Sequence, residues 1–173
     1  MNEISIITRG SVISKNYIEN NKGIYPVYSS QTMNNGIIGK IDSYQVDGEY
    51  LTWTTDGAYA GTIFYRNGKF NATNVCGLIK IKSNKVIIKY LYYYLTITAK
   101  KYVKSGSGNP KLMSNVISNI KIPIPQIEIQ TKIVEILDHF NKLCNDILER
   151  IPAEIKMRQE QYEYYRNKLL TFS

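Results

Sequence analysis

The chain has 173 residues, a formal net charge of +8 and 43% hydrophobic residues. That is enough apolar material for one ordinary domain with an appendage, or for two small domains, and it excludes wholesale disorder. No run approaches the ~18 uninterrupted apolar residues that a membrane span needs.

The opening MNEISIITRG has no basic stretch followed by an apolar one, so it does not read as a signal peptide. Two cysteines, Cys76 and Cys144, lie far apart with no second thiol beside either. They are expected to be reduced, and the expected location is cytoplasmic.

Up to Pro125 the sequence reads as mixed α and β. Short apolar or alternating runs rich in Val, Ile, Thr and Tyr predict strands at IYPVY (24–28), GIIGKI (36–41), YLTWT (50–54), GTIFYR (61–66) and VCGLIKI (75–81). Asn34-Asn35-Gly36, Asp47-Gly48, Asp56-Gly57 and Asn67-Gly68 punctuate them with residues that tolerate positive φ. Asn67-Gly68 carries the strongest hairpin signal. Over 86–102 the spacing of Ile88, Leu91, Leu95 and Tyr102, with Tyr92 and Ala99 beside them, predicts a helix. Lys89, Lys100 and Lys101 occupy its other face. A loop SGSGNP (105–110) ends it, LMSNVISNI gives a turn or two of helix, and KIPIP (121–125) is an extended exit, because proline bars helix at the residue before it.

From Gln126 onward the pattern is helical. Ile133, Leu137, Phe140, Cys144, Ile147 and Ile151 alternate steps of four and three, as a coiled-coil seam does. Past Pro152 the phase slips by one, and Ile155, Tyr162, Tyr165, Leu169 and Phe172 form a second seam with Arg158 at its polar position. Since an interior proline costs a helix about 3 kcal/mol, a break is expected near Pro152. The expected organisation is therefore a domain over 1–125 and a helical region over 126–173. One small domain has little surface on which to bury such a seam, so a partner helix is expected.

Catalytic chemistry finds no footing. His139 is the only histidine, and no second ligand lies at helical spacing from it. Neither cysteine has a histidine partner in view. SGSGNP lacks the Lys-Ser/Thr pair of a phosphate-binding loop. Asp42, Asp47, Glu49 and Asp56 fall at turns, and Glu154-Ile155-Lys156 sits in the seam segment. Asn109-Pro110-Lys111-Leu112 starts like an amino-methyltransferase tetrapeptide and fails at its third position. No catalytic residue, metal or cofactor is expected.

Charge points elsewhere. Residues 1–125 hold 15 Lys/Arg against 6 Asp/Glu, a net of +9, whereas the remainder nets −1. No acidic residue lies between Gly57 and Ile127, a stretch with eleven Lys/Arg. A solvated lysine-rich surface would retain glutamates. Their absence suits a polyanion, whose counterions are released on binding.

The order of these segments resembles the target-recognition domain and spacer of type I restriction–modification specificity subunits. The matching pieces are ITRG (7–10), IYPVYSS (24–30), WTTDGAYAG (53–61), FNATNVCGLI (70–79), YLYYYL (90–95) and the tail PAEIKMRQEQYEYYRNKLLTF (152–172). The most specific is the ending IPIP-x-x-x-x-Q-x-x-I within residues 106–137. The resemblance implies an α+β fold: a mixed α/β target-recognition domain with a twisted, mainly antiparallel sheet, followed by a C-terminal α-helical coiled-coil spacer. It implies a noncatalytic subunit that reads double-stranded DNA and docks methyltransferase (modification) subunits and the restriction subunit. Such subunits usually hold two recognition domains and two spacers. This chain holds one of each, so it is expected to be a half-subunit that forms a homodimer and reads a symmetric bipartite site, or a piece of a longer one.

Carried onto this sequence, the base-reading positions are Ser29, Ser30, Gln31 and Asn34, then Tyr59, then Ser105, Ser107 and Asn109, since Asn and Gln pair with adenine and Ser with several bases. Arg66, Lys69, Lys101, Lys104 and Lys111 suit phosphates. Ile133, Leu137, Phe140, Ile147, Ile151, Ile155, Tyr162, Tyr165 and Leu169 are the expected dimer and partner interface. The alternative is a helical protein-interaction module that binds nucleic acid nonspecifically.

Overall fold

A computed structural model describes residues 1–105 and 108–170. Ser107 and Phe172, both named above, lie outside the described residues. The elements run β1 (Ser5–Arg9), α1 (Lys15–Asn20), β2 (Lys22–Tyr28), β3 (Ile37–Ile41), β4 (Glu49–Thr54), β5 (Ile63–Asn67), β6 (Asn71–Ala72), β7 (Cys76–Ile81), α2 (Ile88–Thr98), α3 (Ser114–Ser118) and α4 (Ile127–Leu170). A 3-10 turn precedes β3 at Met33–Gly36, and another follows α2 at Ala99–Tyr102. The fold is mixed α/β with mainly antiparallel sheets and a long C-terminal helix. All five expected strands are present. Three elements went unread in the sequence: β1, the two-residue β6 and the six-residue α1, whose N-cap Ser14 accepts from the Tyr17 amide at 3.1 Å.

Two sheets form the domain. One has the order β1-β7-β4-β5 with every pair antiparallel, and the other has the order β3-β2-β6, with β6 parallel to β2. In the first sheet, alternation sends Leu51, Trp53, Ile63, Tyr65 and Ile79 to one face and Thr52, Phe64, Arg66 and Leu78 to the other. α2 lies over β4 and β5 on the former face, with the Tyr92 ring 6.5 Å from that of Tyr65. The latter face meets the second sheet, where Phe70 packs edge-on against Tyr28 and Tyr50.

The hairpin expected at Asn67-Gly68 does not occur. Gly48 and Gly68 face each other and exchange backbone hydrogen bonds of 3.2 and 3.1 Å. The β4–β5 ribbon then continues to a bridge between Val46 and Phe70. Both glycines have strongly positive φ, +113° and +102°. The pair therefore bends a continuing ribbon into the second sheet, a job that needs the same φ > 0 residues as a hairpin turn.

Trp53 is fully buried at the centre of the first sheet. Its cross-strand partner is Gly77, where an added Cβ would fall 2.2 Å from the indole ring. The indole N–H donates to the Leu112 carbonyl at 2.9 Å, and the Leu112 amide donates to Thr55 at 2.8 Å. The chain beyond α2 is thus tied to the end of β4.

α2 buries Tyr90, Leu91 and Leu95, followed by Ala99, while Tyr102 is exposed against expectation because the 3-10 turn rotates it off the apolar face. The Tyr90 hydroxyl donates to the Pro123 carbonyl at 2.9 Å, which fixes the KIPIP exit. The conspicuous glutamine of the IPIP ending, Gln130, is fully buried. Its amide donates to the carbonyls of Lys85 and Pro125, each at 2.8 Å, and accepts from the Ile87 amide at 2.9 Å. The first compact unit accordingly extends to Lys132, past the expected boundary at Pro125, because the first turn of α4 is bonded into it.

The second unit, from Ile133 on, is the rest of α4. The break expected near Pro152 is absent: α4 is one 44-residue helix with Pro152 inside it. Proline deprives the Leu148 carbonyl of its helical donor, but Leu148 is 68% exposed, so water can take that place. From Phe140 onward the seam residues Phe140, Ile147, Ile151, Ile155, Tyr162, Tyr165 and Leu169 are all exposed. Among the described residues, no helix is long and apolar enough to cross a membrane.

Replacing Gly77 with Ala should destabilise the domain by about 1–3 kcal/mol, because the indole it would strike is hemmed in on all sides. Urea unfolding monitored by the fluorescence of Trp53, the sole tryptophan, checks this. A variant as stable as the parent would show that the indole can shift.

Candidate nucleic-acid interface

Two groups of the expected contact residues sit on different supports. The first is built on the end of β4. Thr54 and Thr55 are buried. The Thr54 hydroxyl donates to the Tyr59 carbonyl, which also receives the Thr62 hydroxyl at 2.8 Å and the Thr62 amide at 3.1 Å. With its backbone held from three sides, the Asp56–Gly61 loop presents the Tyr59 side chain outward, 58% exposed. Gly61 lies against Lys100 and Val103, and the Gly57 amide donates to Pro110 at 3.1 Å. The loop therefore adjoins the segment that follows α2.

That segment closes on itself at Lys104 and Lys111. The two exchange backbone hydrogen bonds of 3.0 Å each, an antiparallel bridge at the base of the glycine loop. Residues paired in this way carry their side chains on the same side, with Cα atoms ~5.5 Å apart. Both lysines are exposed. Like charges directly opposite one another repel, and a phosphate between them would relieve the repulsion. Asp56 is bridged to Lys111 through the backbone, but its carboxylate is taken by the Thr55 hydroxyl at 2.9 Å. No ion pair to either lysine is present among the described residues. Lys101, Ser105 and Asn109 are exposed on the same segment. Tyr59, Lys101, Lys104, Ser105, Asn109 and Lys111 are thus brought together.

The second group lies on the β2–β3 connection. Asn34, Asn35 and Gly36 have φ of +49°, +52° and +79°, a run of left-handed residues. The Gln31 amide donates to the Ile37 carbonyl at 2.6 Å and the Asn34 amide to the same oxygen at 3.4 Å. The Ser29 hydroxyl accepts from Thr73 at 3.1 Å, and Ser30 is half-buried. Gln31 and Asn34 are exposed. Their side chains each shape the loop with an N–H to Ile37 and are otherwise exposed.

Arg66 is not the phosphate ligand expected from the sequence. It is 4% exposed, with its guanidinium 3.7 Å from the Tyr28 ring centroid and 4.4 Å from that of Phe64. It donates to the Thr52 hydroxyl at 3.3 Å and to the Asn35 carbonyl at 2.7 Å. Burial pushes its pKa down, and the neighbouring Tyr28 opposes that shift. The alternation of β5, which turns residue 66 toward the second sheet, explains the difference. Lys69, by contrast, is exposed, with its ammonium 4.5 Å over the Tyr44 ring. The Tyr44 side chain holds its pKa above the ordinary lysine value.

Sequence reasoning missed the threonines that hold the Tyr59 loop. Their signal was present in WTTDG, as two hydroxyl residues directly before a turn. Among the described residues, no group of three or more His, Cys, Asp or Glu is placed to hold a metal.

The family model of the type I restriction modification DNA specificity domain matches residues 1–157. The chain belongs to that family. Two Mycoplasma pneumoniae relatives match it over 98% of its length at 49% identity, S.MpnORF365P and the type I restriction enzyme MpnII specificity subunit. The chain covers 63% of the first and 51% of the second, so it spans between half and two-thirds of these relatives. Among solved structures, the type I restriction–modification S subunit from M. genitalium superposes with a TM-score of 0.70 at 15% identity, over 92% of this chain and 42% of that one. At that identity the likeness is one of fold.

The segment after α2 offers both kinds of side chain, lysines of the type suited to phosphates and, in Asn109, an amide of the type suited to a base edge. Lys104→Ala should weaken binding to every duplex and reduce the log–log salt slope by about one. Asn109→Ala should instead change discrimination at one base pair by about 1–3 kcal/mol. Titrations against single-base-pair variants at several salt concentrations distinguish the two, and identical behaviour of both variants would refute the division.

Proposed function

We propose that the chain is a noncatalytic DNA-reading half of a type I specificity subunit. Its Tyr59 loop, its glycine loop and the β2–β3 loop with Gln31 and Asn34 meet base edges, while Lys101, Lys104, Lys111 and Lys69 meet phosphates. Two copies join through α4, giving a homodimer that reads a symmetric bipartite site and docks methyltransferase subunits and the restriction subunit in the cytoplasm. The observation that carries the reading is the Lys104–Lys111 bridge. It sets two exposed lysines side by side, in a stretch free of acidic residues, at the base of the loop that holds Asn109 and next to the Asp56–Gly61 loop that presents Tyr59.

The homodimer rests on α4. An apolar seam from Phe140 to Leu169 that stays exposed in one chain is worth covering at ~25 cal/mol per Å² of apolar surface. The ion pairs between Glu154 and Arg158 and between Lys156 and Glu160 join exposed residues four apart and contribute little.

Light scattering of the full chain at micromolar concentration should give the mass of a dimer. Ile147→Asp together with Ile151→Asp should give a monomer whose domain melts at the parent temperature. A tagged pull-down should return a methyltransferase subunit with two copies of the chain. A monomeric parent would overturn the pairing. Recovery of unrelated proteins alone would favour the interaction module.

A further inference from the structure

Arg66 is a buried cation that the contacts proposed above leave unused. Among the described residues no carboxylate pairs with it. Its charge is stabilised by two aromatic faces, by the Thr52 hydroxyl and by one carbonyl, that of Asn35. Asn35 is the middle residue of the left-handed run Asn34–Gly36, a conformation that persists only when its surroundings enforce it. A Cβ added to Gly36 would fall 3.1 Å from the Arg66 Nη2 atom. The guanidinium therefore abuts the loop at two successive residues, at a distance that a planar fork can span and an ammonium on a thinner stem cannot reproduce. The same loop carries Gln31 and Asn34, both exposed.

We infer that Arg66 is a positioning residue for sequence discrimination: held between two rings under the second sheet, it fixes the left-handed turn that aims Gln31 and Asn34 at base edges. It does this without touching DNA. The inference rests on the proposal that the β2–β3 loop reads bases, and the experiment separates the failure of either.

The full chain is first used to enrich its preferred duplex from a random library. Binding to that duplex and to each of its single-base-pair variants is then measured for the parent and for Asn34→Gly, Arg66→Lys and Gly36→Ala. Asn34→Gly removes the reading side chain from a position whose φ suits glycine. Arg66→Lys keeps the charge and loses the fork. Gly36→Ala disturbs the same contact from the loop side, at a buried residue with a φ of +79°, and retained discrimination there overturns the role if Arg66→Lys does not fold. All three should lose about tenfold in discrimination at the same base pairs, with affinity for nonspecific duplex within about twofold of the parent. If Asn34→Gly loses discrimination while folded Arg66→Lys and Gly36→Ala keep it, the positioning role is wrong and the loop reading stands. If Asn34→Gly itself discriminates as the parent does, the loop does not read bases through that residue, and the inference falls with it.

Discussion

The placement of the glycine-loop segment beside the Asp56–Gly61 loop depends on the burial of one indole. Trp53 occupies the middle of the four-stranded sheet, fits only because its cross-strand neighbour is glycine, and spends its single polar atom on Leu112. A truncation at such a site typically costs about 3–5 kcal/mol, so the indole is a large share of a domain's margin. Its hydrogen bond also has a directional consequence. It fixes the backbone of Leu112 one residue after Lys111, and so locates the base of the glycine loop beside the Asp56–Gly61 loop. Core packing and loop placement are one event here.

Several polar groups buried in the domain follow the same logic. Gln130 satisfies two carbonyls and one amide where the chain leaves the KIPIP segment and begins α4. Leaving such groups unpaired would cost about 1–3 kcal/mol each. Thr54 and Thr55 use their hydroxyls on loop backbone and on the Asp56 carboxylate. Arg66 is the extreme case, a charge enclosed by rings between two sheets. Buried polar atoms with specified partners define geometry more sharply than apolar contacts do, because a misplaced donor loses its bond outright.

α4 obeys a different constraint. Its first turn is bonded into the domain, and from Phe140 to Leu169 the seam residues are exposed. Family membership and the span of half to two-thirds of the relatives' length accord with that unpaired seam. A second spacer would supply the missing surface, whether from another copy of the chain or from further along a longer one.

The sequence by itself determined the local and the periodic. Five strands, the α2 helix and the long C-terminal helix were legible because alternation and 3.6-residue spacing record burial directly. The glycine turns were legible as positions requiring φ > 0, and the family was legible in the order of its motifs. What the tertiary structure alone decided was which partner each signal serves. Gly48 and Gly68 have the residue signature of turns, yet they bend one ribbon, because opposition across strands is not written in either segment. β1 and α1 are short elements whose stability comes from neighbours. Pro152 sits inside a helix because its exposed surroundings let water replace the lost bond. Arg66 and Lys69 look equally available in sequence, three residues apart on either side of a bend. One is enclosed and the other exposed, because a strand's alternation acquires an inside only when a second sheet closes over it.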